Sequence, residues 1–164
     1  MATDGVSWRE FVAARPDLAE AGRRLLYQFG GVGLAFLSTV RRDGGPRVHP
    51  MCPILVDDGM YALIVPGPKC DDLARDGRYA MHCYPPESNE DAFYLTGRAR
   101  EVVDAATRER VEAQFRAERA ALGIDFDLSA QRLFAFDVER CMVTVTTGHG
   151  DPDPQHTIWH AARG

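Results

Sequence analysis

A chain of 164 residues suits one domain with a full core, and 45% hydrophobic with 26% charged residues is ordinary for a globular protein. The formal charge of -5, with no basic run beyond pairs such as Arg23-Arg24 and Arg41-Arg42, argues against nucleic acid, whose phosphates demand a basic face. No apolar stretch approaches the roughly 20 residues that span a bilayer, and Met1 to Arg9 includes Asp4 and lacks an apolar signal core, so no membrane partner is expected.

Ser7-Trp8-Arg9-Glu10 has capping-box spacing and predicts a short first helix. Pro16-Asp17 opens a second, with Leu18, Gly22, Leu25, Leu26 and Phe29 on one face and Gly30-Gly31 as its stop. Strands follow. Gly33 to Val40 reads as a buried strand, and Asp43-Gly44 centres a turn. Arg47 to Val56 is extended, but Pro50 and Pro53 donate no ladder hydrogen bond, so it reads as an edge or bulged strand. Asp57-Asp58-Gly59 marks another turn before a strand over Met60 to Val65.

Pro66-Gly67-Pro68 breaks that strand. A short helix is expected over Lys69 to Arg75, then strands over Tyr79 to Tyr84 and Ala92 to Val103, with Gly97 as a place for a bulge. Asp104 caps the longest helix, which runs to about Leu122 with Val111, Phe115 and Leu122 inward. Leu133 to Val138 and Met142 to Thr147 read as a last hairpin turning at Glu139-Arg140. The expected fold is mainly β with α: a six- to seven-stranded antiparallel barrel forming one domain over 1–164, with N-terminal helices in 1–32 and a flexible tail over 148–164.

None of the four cysteines forms a Cys-x-x-Cys pair, which points to reduced thiols and a cytoplasmic location. The 19 basic residues are 18 arginines and one lysine, Lys69. That lysine opens a short helix, where an ammonium, free backbone N–H groups and the positive dipole end together suit a phosphate.

The ordered set Leu37-Ser38-Thr39-Val40, Asp43 to Pro50, Met60 to Val65 and Pro66-Gly67-Pro68-Lys69 through Arg78 resembles the pyridoxamine 5'-phosphate oxidase-like, FMN-binding split-barrel superfamily. The likeness runs from about Leu34 to Val145. It implies an oxidoreductase that binds FMN, or a deazaflavin, at a homodimer interface and takes a small-molecule substrate or a nicotinamide reductant. A non-catalytic carrier of flavin, deazaflavin or haem is the alternative. By this resemblance Lys69 contacts the cofactor phosphate, with help from Arg47 or His49, which alternate with Val48 on one strand face. Pro50 adjoins them. Val65 and Pro66 end the strand whose backbone faces the flavin ring, and Pro68 shapes the approach to Lys69. Trp159 either stacks beside the cofactor of a neighbouring subunit or anchors the tail on the barrel.

Departures from the family pattern narrow the activity. Ile54 occupies the place of a second phosphate-binding lysine, Pro68 stands where relatives carry Arg or Ser, and the C-terminal Arg-x-His signature of vitamin B6 oxidation is missing. No residue is assigned as catalytic acid or base. His156 and His160 lie in a segment rich in glycine and proline, unsuited to a preformed metal site, and no metal is expected. Cys70 sits beside Asp71 and Asp72 without a histidine, which does not suit a catalytic thiolate. Gly30-Gly31-Val32-Gly33 precedes a strand, the wrong context for a dinucleotide fingerprint.

Overall fold

The structure, a computed structural model, describes residues 5–56 and 59–162. The expected turn at Asp57-Asp58 lies outside the described residues. Two helices come first, α1 (Trp8–Ala14) and α2 (Pro16–Leu26). The capping box forms as expected: Ser7 N–H donates to Glu10 Oε2 at 2.7 Å, and Glu10 N–H donates to Ser7 Oγ at 3.3 Å. On α2, Leu18, Ala19, Gly22, Leu25 and Leu26 are buried, and Gly22 lies directly against the Phe93 ring, which leaves no room for a side chain there.

The strands are β1 (Ala35–Val40), β2 (Pro46–Met51), β3 (Ile54–Val56), β4 (Gly59–Ile64), β5 (Arg78–Cys83), β6 (Ala92–Glu101), β7 (Arg132–Val145) and β8 (Gln155–His160). All pairs are antiparallel. The order is β2-β1-β5-β6-β7-β4-β3, with β8 added to the far half of β7. The sheet curls into a half-barrel, as the split-barrel reading requires. Helix α3 (Pro68–Arg75) packs on β1 and β6, and α4 (Ala105–Glu118) packs on β3.

Four expectations are corrected. The stretch 47–56 is two strands rather than one, because the chain turns from one edge of the sheet to the other at Cys52-Pro53. The last hairpin is one 14-residue strand: Gly97 pairs with Val138 and Thr96 with Arg140, so Glu139 is the extra residue of a bulge and not a turn. The tail expected to be flexible holds β8, which brings the strand count to eight. Finally, α4 ends at Glu118, and a 3₁₀ turn over Ala120–Leu122 leaves Leu122 59% exposed rather than on the buried stripe.

The main core gathers Trp8, Phe11, Leu25, Leu37, Met81, Phe93 and Phe136 between the N-terminal helices and the sheet. A second cluster under α4 joins Ile54, Tyr61, Val111, Phe115, Leu128 and Leu133. Tyr27 bridges the two regions. Its hydroxyl accepts from Leu55 N–H at 2.9 Å and lies 2.9 Å from Glu118 Oε1, to which it donates.

Candidate functional site

Helix α3 begins just after β4 ends. Gly67, at φ 152°, lets the chain leave β4 and enter α3. Proline at the first helical position has no N–H to leave unsatisfied. Lys69 follows and is half-buried. Its Nζ lies 3.4 Å from the Pro50 carbonyl oxygen, a long contact that leaves most of its donor capacity open. Burial lowers the Lys69 pKa from the ordinary lysine value.

Lys69 opens onto a cleft of about 370 Å³. Pro50, Met51 and Cys52 form one side, Leu63 and Val65 another, and Tyr84, Phe115 and Phe126 the rest, with Arg119 and Gln131 at the α4 end. The walls are largely apolar. Among the described residues, the charged side chains lining the cleft are Lys69 and Arg119, in a chain with 24 acidic and 19 basic residues.

A second depression, of about 490 Å³, holds Arg41, Arg42, Arg47, Arg75 and Pro68 together with Asp43, Asp71 and Asp72. Its floor is an ion-pair network centred on the buried Asp72. Asp72 accepts from Arg47 Nε at 2.8 Å, Thr39 Oγ1 at 3.0 Å and Arg75 Nη1 at 3.2 Å. Arg75 also donates to the Val40 carbonyl oxygen. This network ties α3 to β1 and β2 and so sets the position of Lys69.

The expected site residues therefore separate. Lys69, Pro50 and Val65 share the apolar cleft, whereas Pro68 and Arg47 face the second depression, where Arg47 is engaged by Asp72. His49 is half-buried opposite Leu37, and its buried Nε2 has no hydrogen-bond partner among the described residues. Pro66 is exposed and lines neither cavity. Trp159 packs against Phe11 with ring centroids 5.1 Å apart, so within one chain it anchors β8 to α1. Burial pushes the Cys70 thiol above its ordinary pKa, opposite to what a reactive thiolate needs.

Sequence reasoning missed Tyr84, Phe126 and Arg119. Arg119 carried a signal: it lies four residues after Phe115 and eight after Val111, a charge on the apolar face of the long helix. Tyr84 closes the strand expected over Tyr79 to Tyr84 and sits one residue past the end of β5, and Phe126 lies outside regular elements, where periodicity says nothing.

The sequence matches no protein-family model and no curated protein. Solved structures do match. A heme binding protein from Mycobacterium smegmatis aligns over 84% of this chain with a TM-score of 0.62 and 17% identity, and the chain spans 57% of that protein. HutZ, the heme storage protein of Vibrio cholerae, aligns over 76% of this chain and 89% of its own, at TM-score 0.57 and 18% identity. A pyridoxinephosphate oxidase family protein from Clostridium acetobutylicum, related to general stress protein 26 of B. subtilis, aligns over 93% of this chain and 95% of its own, at TM-score 0.57 and 12% identity. The fold is thus the split barrel that these three structures share. No helix among the described residues is long and apolar enough to cross a membrane.

Proposed function

We propose that this chain binds a flavin-type cofactor, FMN or a deazaflavin, in the Lys69 cleft and is a flavin-dependent oxidoreductase acting on a small molecule. The observation that carries the reading is the cleft itself, whose lining charges among the described residues are cationic and whose walls are otherwise mostly apolar. Lys69 would hold the phosphate, and the backbone at Val65 would meet the ring. His49 offers a buried nitrogen still lacking a partner. A bound flavin supplies hydride or electron transfer at its ring. The protein's part is to bind that ring, orient it and exclude water. The free cysteines fit a reducing, cytoplasmic setting.

A homodimer is part of the same reading. Across six strands, Pro50, Phe36, His82, Tyr94, Met142 and Ile158 stand in register on one face of the sheet. Phe36, Val48 and Ile158 are exposed there, and Phe36 stacks on Tyr84 at 4.4 Å. Pro50 and Tyr84 also line the cleft, so a second copy on this face would border the ligand. Light scattering on the purified chain tests it, and a monomer at all concentrations would overturn it.

Two of the structural neighbours are heme proteins, which favours one alternative, a non-catalytic carrier of flavin, deazaflavin or haem. Absorbance spectra after incubation with FMN, a deazaflavin and hemin separate the readings. A flavin spectrum with turnover by a reduced nicotinamide, or turnover of a reduced deazaflavin by an acceptor, supports the enzyme. Flavin or deazaflavin binding without turnover supports the carrier, a Soret band with no flavin bound supports haem, and a protein that takes none of the three sinks every version.

A further inference from the structure

The last residue of α4 is followed by Arg119, whose side chain is only 7% exposed. Its guanidinium carbon lies 3.8 Å from the centre of the Phe115 ring, and Nη1 donates to the Phe115 carbonyl oxygen at 3.3 Å. Nη1 also stands 3.5 Å from Glu118 Oε2, yet that oxygen is buried without a hydrogen-bond partner. The two form a buried ion pair, at a distance too long for a strong hydrogen bond. A guanidinium has five N–H donors. Among the described residues, the Phe115 carbonyl and the Glu118 carboxylate are the groups that face it, and together they leave part of its donor capacity open.

Removing such a group from water is costly, and a ring face with one long carbonyl contact offsets only part of that cost. The Glu118 carboxylate, 3.5 Å away, offsets a further part. It is shared, since its other oxygen already accepts from Tyr27 at 2.9 Å and Gln114 at 3.1 Å, and burial raises its pKa despite those bonds and the Arg119 charge. Arg119 also faces the Lys69 cleft, which no Asp or Glu among the described residues lines.

We propose that Arg119 is a second anion-binding residue of this cleft, giving its free donors to an oxyanion, a phosphate or a carboxylate, on the molecule bound there. The proposal rests on reading the cleft as the ligand site and not on the ligand being a flavin. The ligand class is a flat apolar body with an acidic group at the α4 end. That group comes either from the cofactor's own phosphate or from a second, acidic ligand lying beside it.

Two probe pairs test this on the full chain. The first is 8-anilinonaphthalene-1-sulfonate against the neutral N-phenyl-1-naphthylamine, and the second is FMN against riboflavin. Both are titrated by fluorescence into the wild type, Arg119→Met, Arg119→Lys and Lys69→Met. In Arg119→Met the sulfonate should bind about tenfold or more weakly while the neutral probe is nearly unchanged, the scale of one charge-assisted contact. Arg119→Lys should recover part of the loss, since it keeps the charge without the planar fork. Lys69→Met should also weaken the sulfonate. If Arg119→Met shrinks the FMN preference over riboflavin, the anion is the cofactor's phosphate; if it spares FMN and weakens only the sulfonate, the anion belongs to a second ligand. Failure of the wild type to bind either flavin would end the flavin reading, and the naphthalene pair would still judge Arg119. Equal effects on charged and neutral probes, or none, would overturn the proposal and leave Arg119 as a structural end to α4. Should Arg119→Met not fold, Arg119→Lys carries the same comparison, expecting a smaller loss confined to the charged probe.

Discussion

Asp72→Ala removes the centre of the network that holds α3 on the barrel. The Asp72 side chain is 5% exposed and accepts from three donors. The Thr39 hydroxyl is buried, and leaving it unpaired costs about 1–2 kcal/mol. Arg47 and Arg75 keep roughly a third of their side-chain surface in water, so each contact is discounted to about 0.5–1 kcal/mol. The sum is about 3 kcal/mol, or a drop in Tm of roughly 6–12 °C for a domain of this size. Urea unfolding followed by circular dichroism at neutral pH measures it. The pH dependence adds a check. Burial disfavours the Asp72 carboxylate, but hydrogen bonds from Arg47, Thr39 and Arg75 outweigh it, and the folded pKa lies below the ordinary value. A depressed folded pKa gives stabilisation that is fully present above the unfolded value of about 3.9 and is lost as pH falls through the folded one. The gap between wild type and Asp72→Ala should therefore stay constant through neutral pH and narrow below about pH 4. A loss under about 1 kcal/mol, or a gap that does not close in acid, would refute the role given to Asp72.

Lys69→Met should weaken FMN binding by about 1.5–3 kcal/mol, some 10- to 150-fold in Kd, and leave riboflavin nearly unchanged, because Lys69 is assigned to the phosphate alone. Equal losses for both flavins, read by fluorescence quenching, would place Lys69 elsewhere. Tyr27→Phe should destabilise the fold by about 1–3 kcal/mol in the same urea assay, since it strips the buried Leu55 N–H of its acceptor and Glu118 Oε1 of a donor. Gly97→Val should abolish soluble, folded protein, because a Cβ there would collide with the Asp137 carbonyl oxygen in the bulge. A folded Gly97→Val protein, judged by its circular dichroism spectrum, would contradict the register of β6 on β7.

Most elements were legible because their signals are local. The Ser7 and Glu10 box, the Asp104 cap, the Asp43-Gly44 turn and the Pro66-Gly67-Pro68 break each depend on residues within one turn of chain. The errors share a cause. Glu139-Arg140 resembles a turn in sequence, yet β7 runs straight through it because β6 lies alongside and absorbs the extra residue opposite Gly97. Likewise Gln155–His160 has little strand pattern of its own, and it is held by pairing with β7 and by Trp159 against Phe11.

The candidate site divides in the same way. The sequence alone determined that Lys69 opens a short helix behind a proline–glycine break, since helix starts and backbone breaks are written in neighbouring residues. Only the tertiary structure decided which residues join it. Arg47, four residues from Met51 along the same stretch, is drawn off to Asp72, while Arg119, fifty positions from Lys69, lines the cleft. Those assignments depend on how α3 and α4 pack on opposite parts of one curled sheet, and that is fixed by long-range burial which no local pattern encodes.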